Sequence, residues 1–153
     1  MPSLVGSEMC IRDRYNTERF DVRGKELLRL RPKYYVVDMA FKQLLLPDIN
    51  RDRGHVLENI VYLELRRRGY TVYVGQLTKG EIDFVAQKLG GILEYYQVSE
   101  SVLDPTTRDR ELAPLEAVKD QYPKFLLTMD EFYKPHNYNG IQQCNVLDWL
   151  LGM

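Results

Sequence analysis

Two short apolar runs in this chain each carry a polar side chain that a core strand would rather lack. Asp83 interrupts Glu81-Ile82-Asp83-Phe84-Val85, and Gln97 interrupts Tyr95-Tyr96-Gln97-Val98-Ser99. Burying an unpaired carboxylate is costly, so an acid in such a run has a partner or a task. A third candidate, Glu58, stands beside Leu57 near the edge of a helical apolar face. Carboxylate and amide oxygens are the donors that hard divalent cations bind. Such a cation polarises a phosphate and lowers the pKa of a bound water. Glu58, Asp83 and Gln97 are therefore the candidate catalytic and metal-binding residues, with magnesium or manganese as the ion and phosphodiester hydrolysis as the chemistry. Each also has a structural reading. Glu58 can bond to Arg66 or a backbone amide, Asp83 can pair with an arginine such as Arg110, and Gln97 can be a hydrogen-bonding core residue.

The elements that position these residues follow from pattern. Residues 55–68 read as a helix, with Leu57, Ile60, Val61, Glu64 and Leu65 on one face. Gly69 stops it, and Arg66, Arg67 and Arg68 suit the negative end of the helix dipole. Strands are expected at 71–74, 81–87, 92–99 and 124–129, with Gly90-Gly91 as the turn between the second and third. Alternation places Glu81, Asp83 and Val85 on one face and Ile82 and Phe84 on the other. It lets Asp83 and Gln97 point to one side. Asp104-Pro105 reads as an N-cap and first turn of a helix running to about residue 120, broken or restarted near Pro114. Residues 18–30 read as a hairpin turning at Gly24 and ended by Pro32. A short strand at 34–38, a short helix at 39–46 and a polar loop at 47–54 follow. Residues 131–139 read as a loop, 140–144 as a strand and 146–151 as a closing helical turn. Strands alternating with helices in this order imply an α/β domain with a mixed sheet flanked by helices.

Bulk properties exclude several classes. The 153 residues suffice for one core, and 44% hydrophobic with 28% charged residues is ordinary for a globular protein. A net charge of −1 provides no global field toward nucleic acid or membrane, so any such contact must be local. Arg66, Arg67 and Arg68 are the candidate nucleic-acid-binding patch, with Arg51 and Arg53 nearby; the plainer reading is a solvated helix end. Two cysteines, Cys10 and Cys144, make no disulfide framework, and a reducing cytoplasmic setting is expected. No run is apolar enough to span a membrane. His55 and His136 lack partners at metal-ligand spacing. The eleven tyrosines suit a core as well as stacking on bases. Residues 1–14 show no periodicity, and Val5-Gly6-Ser7-Glu8-Met9-Cys10-Ile11-Arg12-Asp13-Arg14 resembles translated read-through of a sequencing adapter.

A helix bearing Glu58, a strand bearing Asp83 and a strand bearing Gln97 resemble the PD-(D/E)xK, or restriction-endonuclease-like, fold. That fold implies a central mixed sheet of about four to five strands. Lys33-Tyr34-Tyr35-Val36-Val37-Asp38, Leu57-Glu58-Asn59, Arg67-Arg68-Gly69-Tyr70, Glu81-Ile82-Asp83-Phe84, Arg110-Glu111 and Tyr122-Pro123-Lys124 together resemble a C-terminal domain of unknown function found in prokaryotic AAA-type ATP-binding proteins. The resemblance implies three segments: an artefactual or disordered tail over 1–14, a remnant of a winged-helix segment over 15–32, and a nuclease-like domain over 33–153. It implies a missing N-terminal ATPase domain as partner and as the seat of ATP, since no G-x-x-x-x-G-K-[ST] occurs here. The fold's motif places a lysine two residues after the acid; here that residue is Ser99, and Lys88 and Lys79 are the nearest lysines in sequence. An Arg–Glu pair among Arg108, Arg110 and Glu111 is expected to bridge across the sheet. The expectation is thus a catalytically degraded nuclease-like domain that binds DNA or a partner. An active metal-dependent nuclease and a pure protein-interaction module are the alternatives.

Overall fold

The computed structural model describes residues 14–39, 53–131 and 136–152. The adapter-like segment up to residue 13, most of the expected 39–46 helix, and Arg51 lie outside them; Arg14, the last residue of that segment, begins the first strand. Among the described residues one sheet has eight strands. Its strands in chain order are β1 (Arg14–Asp21), β2 (Glu26–Val36), β3 (Thr71–Gln76), β4 (Glu81–Gln87), β5 (Leu93–Ser99), β6 (Lys124–Thr128), β7 (His136–Tyr138) and β8 (Ile141–Asn145). Across the sheet the order is β2-β1-β3-β4-β5-β6-β8-β7. Pairing is mixed: β1–β3, β5–β6 and β6–β8 are parallel, the others antiparallel. The α/β class expected from sequence is correct, but four to five strands is too few.

The extra strands have identifiable sources. The hairpin does not stand apart: β1 pairs with β3, so both of its strands join the sheet. Pro32 does not end it either, since β2 continues through Tyr34 and Tyr35 to Val36. β2 is an edge strand, and its register against β1 shifts between Thr17 and Arg19. Edges and bulges are where a proline's missing N–H leaves no ladder bond broken. The expected boundary between 15–32 and 33–153 therefore falls inside a strand. β7, with only three residues, carries no periodic signal and lies where a loop was expected.

Among the described residues three helices cover the sheet: α1 (Arg53–Arg67), α2 (Pro105–Ala117) and α3 (Val146–Leu151). Helix α1 starts at Arg53, shortening the expected loop. It ends as expected at Gly69, whose φ of 83° permits the bond from Tyr70 N–H to the Leu65 carbonyl. Leu57, Val61, Tyr62 and Leu65 of α1 and Val146 of α3 pack on one face of the sheet with Tyr35, Phe84, Tyr96 and Val98. Leu112 and Leu115 of α2 pack on the other with Phe20, Val22, Ile82, Val85 and Tyr95. Helix α2 is capped by Asp104, whose carboxylate accepts from Thr107 N–H at 2.8 Å, and it contains Pro114 without restarting.

Strict alternation fails in β4. Ile82 and Val85 share the α2 face, while Phe84 and Ala86 share the other. The register between β3 and β4 slips by one residue between Tyr73 and Gly75. Gly75 makes the slip possible, because a Cβ there would lie 2.9 Å from Val85 and 3.0 Å from Ile82. The bulge falls on the strand that carries Asp83, a location common beside functional sites.

Candidate functional site

Glu58 is buried on the inner face of α1, not at its edge. Two features of the sequence fix it there. Asn59 clamps α1 to the end of β2, accepting from Val36 N–H at 2.8 Å and donating to the Val36 carbonyl at 2.9 Å. One residue before Asn59, Glu58 then meets the side chains of β2 that point the same way. Lys33 and Tyr35, two residues apart and so on one face, both donate to Glu58 Oε1, at 2.5 and 2.7 Å. His55 Nδ1 lies 3.4 Å from Glu58 Oε2, one helical turn away. Arg66 and backbone amides take no part in these bonds.

Asp83 and Gln97 come together through the main chain and not side chain to side chain. The Asp83 N–H donates to Gln97 Oε1 at 3.3 Å, and the Val98 N–H donates to Asp83 Oδ2 at 2.8 Å. Gln97 is buried and donates from Nε2 to Glu111 Oε2 of α2 at 3.1 Å. Burial pushes the Asp83 carboxyl up to about 7, reinforced by the charge of Glu58. The Val98 hydrogen bond and the Lys33 charge oppose the rise, and the Glu111 charge adds to it. The charges of Glu58, Lys33 and Glu111 thus all act on Asp83, Glu58 from α1 on one face of the sheet and Glu111 from α2 on the other.

The residues put forward for Asp83 and for the lysine position are elsewhere. Arg110 pairs with the adjacent Glu111 at 2.9 Å within α2, so the expected Arg–Glu bridge does not cross the sheet. Glu81 pairs with Arg19 of β1. Ser99 donates its hydroxyl to the Ser101 carbonyl at 3.2 Å. Lys88 binds Glu94 at 2.9 Å, and Lys79 lies in the β3–β4 turn. The cation beside the acids is Lys33, from a strand at the far edge of the sheet. The sequence contained one signal for it: a lysine two residues from an aromatic in a β-rich run. The part of Glu111 left no signal beyond its place in the α2 pattern.

The arginine patch is engaged within the fold. Glu64 accepts from Arg67 at 2.7 Å and from Arg68 at 2.6 Å, and these bonds pull its carboxyl down to about 2 despite burial. Arg68 also donates to the Trp149 carbonyl and lies over the Trp149 ring at 4.2 Å, tying α1 to α3. Arg66 lies 5.4 Å from the Tyr15 ring centre. A phosphate here must compete with Glu64 for two of the three guanidinium groups. Cys144 is half-buried beside the α1-side core, as a small hydrophobe would be.

As arranged, the candidate metal donors are committed within the protein. Glu58 Oε1 holds Lys33 and Tyr35, Asp83 Oδ2 holds an amide, and both ends of Gln97 are bonded. Among the described residues, no group of three or more His, Cys, Asp or Glu side chains is placed to hold a metal ion. Nor is any helix among them long and apolar enough to cross a membrane.

Two curated proteins resemble the chain. An uncharacterized protein of Haemophilus influenzae is 39% identical over 137 residues, covering 90% of this chain and 33% of that protein. Uncharacterized protein MJ1544 of Methanocaldococcus jannaschii is 34% identical over 93 residues, covering 58% of this chain and 20% of that protein. The chain thus spans a third or less of the relatives it matches. No protein-family profile matches it, and no solved structure does.

Proposed function

We propose that the chain is a restriction-endonuclease-like module, the C-terminal part of an AAA-type ATP-binding protein, and that it binds nucleic acid without cleaving it. The observation carrying this reading is Lys33 seated on Glu58. A protein ammonium occupies the carboxylate that a catalytic cation would need, and the strand position expected to supply a lysine holds Ser99. The relatives' greater length leaves room for an ATPase. The test is calorimetry of the chain with manganese and with duplex DNA. The expected result is no manganese uptake, no cleavage, and DNA affinity that falls as salt rises. Absence of DNA binding at low salt would leave a protein-interaction module instead.

One observation favours a second reading, a metal-dependent nuclease with Lys33 as its relocated cation. Burial raises the Asp83 carboxyl, the charges of Glu58 and Glu111 add to the rise, and a divalent ion offsets both. If so, manganese binds to the wild type and not to Asp83→Ala, and cleavage follows the same pattern.

A further inference from the structure

On the α2 side of the sheet, away from Glu58, lies a cleft of about 730 Å³, within the range of small-molecule sites. It opens where α2 ends and two strand turns meet. The β1–β2 turn lends Val22, Arg23 and Lys25, the β3–β4 turn lends Leu77 and Lys79, and the end of α2 lends Val118 and Lys119. Val22 and Val118 are buried and make an apolar floor. Four cations line the cleft against one acid, Asp120, in a chain whose net charge is −1.

Those cations are not equally occupied. Lys25 is bound to Asp120 and donates to Tyr95 Oη at 2.5 Å. Lys119 donates once, to the Glu116 carbonyl at 3.2 Å, leaving two of its three N–H groups. Among the described residues, the side chains of Arg23 and Lys79 have neither a hydrogen bond nor an ion pair, so their charge is uncompensated.

The turn is built to hold this arrangement. Lys25 has φ of 56°, unusual for a residue with a side chain. The conformation is held by Lys25 N–H to the Asp21 carbonyl at 2.8 Å and Arg23 N–H to Asp21 Oδ1 at 2.9 Å. A Cβ at Gly24 would stand 2.7 Å from Asp21 Oδ2, so a side chain there would displace the carboxylate that holds the turn. Backbone strain of this kind is found where a side chain must be placed.

We infer that this cleft binds a phosphate monoester carried on a flat apolar ring, as in a nucleoside monophosphate. The ring lies on Val22 and Val118, and Arg23, Lys79 and Lys119 take the phosphate. A mononucleotide and the 5′-phosphorylated end of a strand share that chemistry. The proposal is independent of the acid cluster.

The test is calorimetry of the 153-residue chain with adenosine 5′-monophosphate, adenosine and inorganic phosphate. The whole ligand is expected to bind at least about tenfold more tightly than either half. An Arg23→Ala/Lys79→Ala variant removes side chains that bond to nothing in the fold; it should melt as the wild type does and bind about tenfold or more weakly. Asp83→Ala should bind as the wild type does, which separates this site from the acid cluster. A 5′-phosphorylated tetranucleotide that binds more tightly than the mononucleotide, with the same dependence on Arg23 and Lys79, identifies the strand end as the source; weaker binding identifies the free nucleotide. No mononucleotide binding at millimolar concentration, or equal binding by the double variant, overturns the proposal.

Discussion

Two buried glutamates in this protein are held by the same kinds of donor, a lysine ammonium and tyrosine hydroxyl groups, yet their surroundings differ in charge balance. Glu94 accepts from Tyr70 at 2.8 Å, Tyr96 at 2.6 Å and Lys88 at 2.9 Å. Burial alone would lift its pKa; the bonds from Tyr96, Lys88 and Tyr70 outweigh that and hold it below the ordinary value. Glu58 accepts from Lys33 and Tyr35, and its charge acts on the buried Asp83, as does that of Glu111. A buried acid by itself therefore marks nothing. What distinguishes Asp83 is burial first, to which the surplus negative charge of Glu58 and Glu111 adds; one backbone bond and the Lys33 charge do not outweigh these, so Asp83 shifts in the opposite direction from Glu94.

The sharpest way to break this comparison is to remove the balanced acid. Glu94→Ala leaves two tyrosine hydroxyl groups and an ammonium without their acceptor. It should cost about 3–5 kcal/mol, read as a shift of the urea midpoint. A loss below about 1 kcal/mol would mean that Glu94 is no better compensated than its counterpart.

Asp83→Asn should do the reverse. The Asp83 carboxyl titrates near 7 in the folded chain against 3.8 in the unfolded chain, so the folded state holds its proton more tightly. The stability this provides is full below 3.8, fades as pH rises toward 7, and is absent above it. Wild type should therefore lose stability from pH 4 to pH 8 at this site. The amide, which keeps an oxygen for the Val98 N–H, should remove that slope and gain about 2–4 kcal/mol at pH 8. Denaturation at pH 5 and pH 8 decides it: a variant with the wild-type slope would show that Asp83 ionises as freely in the folded chain as in the unfolded one. Glu94, with its lowered pKa, contributes with the opposite sign, its stability fading as pH falls.

Lys33→Met tests the surplus directly. It leaves Glu58 with Tyr35 and removes the charge that opposes the rise of Asp83. A loss of about 2 kcal/mol at pH 8, shrinking at pH 5 where Asp83 is protonated, is expected in urea denaturation. A loss that does not change with pH would separate Lys33 from Asp83.

Much of this pairing was legible in the sequence, and the unread part has physical causes. Asp83 and Gln97 were found because polar groups in apolar runs stand out, and β4 and β5 fell close to the residues that alternation assigned. Their exact facing was not, because a one-residue slip at Gly75 breaks the two-residue period and depends on how closely two strands approach. Lys33 stands in a run that resembles the family's, but its approach to the acids is not legible there, because this cation reaches them from β2, distant in sheet order and held by Asn59. The hairpin looked detachable because its pairing with β3 spans some fifty residues of chain, and local pattern carries no information about such a contact.

The smallest effect should come from Lys88→Met, and its smallness is informative. Lys88 is half-exposed, so its ion pair with Glu94 is weakened by water and salt. Tyr70 and Tyr96, both buried, remain to hold the carboxylate. A loss of about 0.5–1 kcal/mol is expected, diminishing in 0.5 M salt. Lys33 bonds a glutamate that has one tyrosine donor and a more distant His55 ring, so the same change there costs more. Equal losses for the two lysines would show that the tyrosines contribute little and that lysine alone sets the charge of both acids. The contrast between the two glutamates would then rest only on how many carboxylates lie near each.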